Sequence, residues 1–158
     1  MQIDEQTLQQ ITIDVCQTML GLELNPIYPE IDTTHQLVAS IEIHGARHAV
    51  VEVLAHHDLM AAIAEAMFCS ERGGLSAEEI RDAFGEIANM IGGNVKGSFG
   101  DESSLSLPVI GNAYDGLETL ANGSIRTTFE CCGHPLTIVL REFVSAVEID
   151  ELMPVNPQ

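Results

Sequence analysis

The stretch LVASIEIHGARHAVVEVLA, residues 37–55, decides the fold. Ile41 and Ile43 alternate with polar neighbours, Val51 and Val53 do the same further on, and Gly45 stands between the two runs. A period of two places one set of side chains on one face of an extended chain, and β-branched residues favour that state. The stretch therefore reads as a β-hairpin. Two strands cannot bury an apolar face alone, so the flanking segments must supply the other layer. Upstream, Asp4 can cap a first helix that carries Leu8, Ile11, Val15 and Leu22 on one face and stops toward Gly21 and the Asn25-Pro26 break. Downstream, Leu59, Ile63 and Met67 recur every fourth residue, which predicts a second helix over roughly 58–69, ahead of a Gly73-Gly74 loop. Ser76 and Glu79 form a capping box that opens a third helix. Beyond it LSLPVIG, SIRTTFECC and LTIVLREFV read as three more strands, with turns at Asn112, Asn122-Gly123 and Gly133 and a frayed MPVNPQ terminus. The whole is an α+β domain in two layers, long helices packed on a mainly antiparallel sheet.

With 158 residues, no linker and no internal repeat, one domain spanning 1–158 suffices. No run approaches the roughly 20 apolar residues of a membrane span. The N-terminus lacks a basic leader with an apolar core, so a cytoplasmic protein is expected. Lys and Arg total 6 against 24 Asp and Glu, a formal charge of −18. Such a surface repels nucleic acid and anionic lipid and favours a protein that presents basic groups around its own site; solubility alone explains it equally well. Cys16, Cys69, Cys131 and Cys132 lack the paired spacing of a zinc site and are expected to be core thiols without disulfides.

The third helix carries the functional signal. At about 100° per residue, Ile80, Phe84, Ile87 and Ile91 fall within about 60° of one another and define a buried stripe. Asp82, Glu86 and Asn89 lie opposite, in one narrow sector. A carboxylate beside a carboxamide on a rigid exposed helix has two capacities. The first can make a charge-assisted bond to a lysine of another protein, and the second can hold water through its donor and acceptor. On spacing alone a solvated helix face explains the same pair. Gly85, Gly92 and Gly93 each cost the helix about 1 kcal/mol relative to alanine, so something should compensate, and the close approach of another backbone is one candidate.

The segment Asp82-Ala-Phe-Gly-Glu86-Ile-Ala-Asn89-Met-Ile-Gly-Gly-Asn94 resembles the active-site helix of the CheC/CheX/FliY family of chemotaxis phosphatases, in which an acidic or serine residue precedes Glu and Asn at this spacing. The resemblance is to the CheX branch, with one such helix per domain, and Leu-Ser-Leu-Pro108 resembles the segment that follows. It implies a CheC/CheX-like fold and a phosphatase that acts on a phosphorylated, CheY-like response regulator. Glu86 would contact the regulator's lysine and Asn89 would orient the attacking water. Asp82, Gly85 and Gly93 would bind the partner or flank the site. It also implies that Mg²⁺ belongs to the regulator, that this chain binds no metal or cofactor, and that the protein is a homodimer. Two other readings of the same helix stand beside it: a non-catalytic adaptor that binds a receiver domain, and an assembly module related to the flagellar switch.

Other constellations carry less. His44 and His48 flank the hairpin turn and His56-His57 head the second helix, but no cysteine or carboxylate completes a four-ligand site by local spacing. Gly92-Gly93-Asn94 lacks the Gly-Lys-Ser/Thr of a phosphate loop and follows a helix instead of preceding one. Met19, Met60, Met67 and Met90 read as core filling.

Overall fold

The computed structural model describes residues 3–28, 36–45, 47–100, 102–112 and 124–143. The turn signal at Asn122-Gly123 and the terminal MPVNPQ lie outside them. Helix α1 (Glu5–Leu20) starts where Asp4 Oδ1 accepts the Thr7 amide at 2.7 Å, and hydrogen bonding from Thr7 holds that carboxyl below its usual range. It ends at Gly21, which sits at φ 64 and sends its amide back to the Gln17 carbonyl at 3.1 Å. Leu8 and Val15 are buried as expected, and Ile11 is partly so. Leu22 lies past the helix end and packs partly buried against the core.

The Asn25-Pro26 break is also a strand, β1 (Asn25–Ile27), paired antiparallel with β6 (Ser124–Cys131). A proline at a sheet rim leaves no ladder bond unmet, which is why turn chemistry alone concealed it. The hairpin forms as read: β2 (Gln36–Gly45) pairs antiparallel with β3 (His48–His56). Helix α2 (His57–Phe68) stops at Cys69, which adopts φ 50. Helix α3 (Ala77–Phe99) opens on the capping box, with Ser76 Oγ accepting the Glu79 amide at 3.2 Å and Glu79 Oε1 accepting the Ser76 amide at 3.1 Å.

LSLPVIG is not one strand. It divides into the end of β4 (Ser103–Leu105), a break at Ser106–Pro108, and β5 (Val109–Asn112). SIRTTFECC becomes β6, and LTIVLREFV falls largely within β7 (His134–Phe143). The strands form one antiparallel sheet in the order β1-β6-β7-β3-β2-β4, with β5 also on β2. The helices bury one face of it in a single core that includes Leu8, Leu59, Phe84, Ile87, Ile41, Val51, Phe129 and Ile138.

Two of the four cysteines depart from the expected burial. Cys16 and Cys131 are core thiols, and burial pushes them up to about 11 and about 12, the latter with help from neighbouring Cys132. Cys69 and Cys132 are exposed, at the end of α2 and in the β6–β7 turn beside Gly133, and both adopt positive φ.

Gly92-Gly93 lies inside α3, not after it. A Cβ at Gly92 would sit 2.7 Å from Ile41 Cγ2, so the missing side chain lets the helix settle on β2. What approaches is an isoleucine of this chain's own sheet. Replacing Gly92 with alanine is expected to destabilise the fold by about 1–3 kcal/mol through overpacking. Gly97→Ala, on the same helix with no atom within 4 Å of its Cβ, is expected to stabilise by about 0.5–1 kcal/mol. Urea unfolding midpoints check both.

Candidate functional site

The ridge of α3 that faces solvent is narrow. Ile80, Ala83, Phe84, Gly85, Ile87, Ala88, Ile91, Gly92 and Val95 are all buried, because α1, α2 and strands β2 to β5 surround the helix. Asp82 and Glu86 remain exposed and Asn89 half-buried. Residues four and seven positions after Asp82 return to its side of a helix, so the three line up along the ridge. The side chains of Glu86 and Asn89 make no hydrogen bond or ion pair to any of the described residues. A carboxylate acceptor and a carboxamide with both functions thus stand open, next to each other, on a helix whose other sides are fixed.

One flank of the ridge is formed by the chain between β4 and β5. On β2, Ile43 pairs with Leu105 and Ser40 with Val109, so the outer strands advance four residues where β2 advances three. The extra residue is a β-bulge, held by the Ser106 amide donating to the Glu42 carbonyl at 2.9 Å and by Ser106 Oγ accepting the Glu42 amide at 2.8 Å. A bulge reverses which side chains face inward. Leu105 reaches α3 before it, and Pro108 and Ile110 reach α3 after it. Pro108 lies where a Cβ on Gly85 would be 3.2 Å from its Cγ, and Ile110 Cδ1 would be 3.7 Å away. The Arg81 guanidinium donates to the Ile110 carbonyl at 3.4 Å. Leu107 and Val109 are turned outward, 85% and 68% exposed.

All five residues singled out in the sequence are therefore on α3, but they divide into two kinds. Asp82, Glu86 and Asn89 share the ridge. Gly85 is buried under Pro108, and Gly93 is half-buried with Leu105 Cδ1 3.9 Å from its would-be Cβ. The close approach these glycines permit is to this chain's own rim segment. Leu107 and Val109 were not anticipated as site residues. The signal for them is the proline that interrupts an apolar alternation, a pattern that marks a bulge as readily as a strand.

A sheet of this order under one layer of helices is an α+β architecture, and α3 is its central helix. The family model "Chemotaxis phosphatase CheX" matches residues 37–130, and the chain belongs to that family. No curated protein matches the sequence. Among solved structures, the chain is similar to the chemotaxis protein CheX of Vibrio vulnificus, at 23% identity and a TM-score of 0.67, over 86% of this chain and 93% of that one. It is also similar to CheX of Borrelia burgdorferi, solved as a CheX-CheY-BeF3-Mg²⁺ complex, at 14% identity and a TM-score of 0.66, over 90% and 100%. FliY of Thermotoga maritima follows at 16% identity and 0.56, over 94% and 92%. At these identities the likeness establishes a shared fold.

Because the side chains of Glu86 and Asn89 make no hydrogen bond or ion pair among the described residues, Glu86→Ala and Asn89→Ala are expected to change stability by no more than about 0.5 kcal/mol. Thermal unfolding of both variants tests this. A larger loss would mean the pair is part of the packing and not held ready for a partner.

Proposed function

We propose that this chain hydrolyses the aspartyl phosphate of a CheY-like response regulator in the cytoplasm, with Asn89 orienting the attacking water and Glu86 engaging a lysine at the regulator's phosphorylation site. The observation that carries this reading is the unbonded Glu86 and Asn89 side by side on the clamped ridge of α3, in a chain of the CheX family. The water oxygen attacks phosphorus, the bond from phosphorus to the aspartate oxygen breaks, and inorganic phosphate and a free carboxylate result. Such a transfer needs little covalent help. Alignment of the nucleophile and stabilisation of the phosphoryl oxygens supply most of the acceleration. The carboxamide oxygen of Asn89 accepts a hydrogen bond from the water and its NH2 donates one to a phosphoryl oxygen, which holds the water in line. Glu86 fixes register through a charge-assisted bond. Mg²⁺ is the regulator's own, and this chain contributes none.

Asp82 extends the negative ridge by one turn and helps to draw in a basic partner, in keeping with a formal charge of −18. Leu107 and Val109 give the regulator an apolar shoulder beside the pair. We place the homodimer contact of this reading at the sheet rim: β1 covers only Thr128–Glu130 of β6, and Ser124–Thr127 present free backbone groups among the described residues.

Phosphate release from phosphorylated receiver domains in Mg²⁺ tests the proposal. Asn89→Ala is expected to lower the catalysed rate by about 100-fold through loss of water alignment. Glu86→Ala and Leu107→Ser are expected mainly to raise the regulator concentration needed for half-maximal rate. Binding of a receiver domain without faster decay would favour the adaptor reading, and sedimentation as a monomer would remove the dimer.

A further inference from the structure

On the face of the sheet turned away from the helices, at the tip of the β2–β3 hairpin, three side chains with metal-binding atoms converge. Ile43 pairs with Ala49, so His44 and His48, one step nearer the turn, stand opposite each other. Their rings stack with centroids 4.9 Å apart and planes 25° from parallel. Glu42, two residues before His44 and therefore on the same face, brings its Oε2 to 2.8 Å from His44 Nε2 and 3.9 Å from His48 Nε2. One ligand atom from each residue lies within 4.8 Å of the other two. The third ligand comes from the register. Glu42 is not adjacent to either histidine in the sequence, and only pairing of the two strands brings it to the His48 ring.

We propose that Glu42, His44 and His48 form a binding site for a first-row divalent transition metal of the zinc class, with a fourth position open to water. Two imidazoles and one carboxylate suit zinc, nickel or copper, whereas magnesium and calcium take oxygen ligands almost exclusively. Ligand atoms around a tetrahedral zinc, at bonds of about 2.0–2.2 Å, are separated by about 3.4 Å, so side-chain rotation suffices to close the set. The strands that carry the ligands are rigid: Ile41, Ile43, Ala49 and Val51 point into the core from the same two strands. The His48 ring is further held against Phe143, with centroids 5.3 Å apart. The acidic surface adds a long-range attraction for cations.

The site lies on the opposite face of the sheet from α3, and its test does not depend on the phosphatase reading. The full chain is titrated with Zn²⁺ by calorimetry and with Co²⁺ by visible absorption, beside His44→Ala, His48→Ala, Glu42→Gln and a His56→Ala/His57→Ala control. All of these positions are partly or fully exposed, and circular dichroism confirms that each variant is folded. The expected result is one ion per chain, with affinity at least about tenfold weaker in each histidine variant and unchanged in the control. Failure of the wild type to bind either ion in a saturable way overturns the proposal. So does stoichiometric binding that survives in the combined His44→Ala/His48→Ala variant, because other groups, such as the exposed thiols of Cys69 and Cys132, would then hold the ion.

Discussion

The contact between Gly92 and Ile41 sets the height at which α3 lies over the sheet, and the rest of the functional geometry follows from it. With no side chain at position 92, the helix axis comes close enough to β2 for Phe84, Ile87 and Ile91 to fill the core completely. A helix held this low is also within reach of the rim segment, and Pro108 seats against Gly85. The helix is thereby walled along its buried faces, and Asp82, Glu86 and Asn89 lie on the side that stays open. Rigidity at the site is the product of small residues under large neighbours, and the helix propensity lost at the glycines is offset by close packing.

The opposite face of the sheet has its own device for holding register. Glu52 on β3 is 2% exposed and pairs with Arg141 on β7, in a layer that also contains Val38, Leu54 and Val139. Burial pulls the Arg141 guanidinium below its ordinary range. A slip of one residue in β3 would turn Glu52 into the helix-packed core without its partner, a cost of several kcal/mol. This pair contributes uniqueness to the strand alignment, and that alignment also brings Glu42 to the histidines at the hairpin tip.

Much of this architecture was legible from local chemistry. The alternation across 37–55, the Asp4 cap, and the Ser76 and Glu79 box each specify a conformation within a few residues, and all three formed. What escaped was decided by partners distant in the chain. The β1 strand exists because β6 offers it an edge, and turn signals at Asn25-Pro26 mask that possibility. The division of LSLPVIG follows from a bulge whose register belongs to β2. The exposed cysteines follow from their places at the end of α2 and in the β6–β7 turn, where the chain leaves the packed layers. In the site, the helical wheel was enough to place Asp82, Glu86 and Asn89 on one ridge. It could not show whether Gly85 and Gly93 faced a partner or this chain, because that depends on where Pro108 and Leu105 land.

The two outermost regions of the sheet each carry a proline, Pro26 in β1 and Pro108 between β4 and β5. Neither residue has an amide hydrogen to offer a neighbouring strand, and the bulge before Pro108 twists the rim away from flatness. A chain whose sheet contains runs as apolar as Val50 to Ala55 would otherwise be prone to stacking into fibrils through its borders. The same proline that walls the helix ridge therefore also leaves that border of the sheet one backbone donor short for pairing with another chain. One residue thus serves both the packing of α3 and the closure of the sheet border.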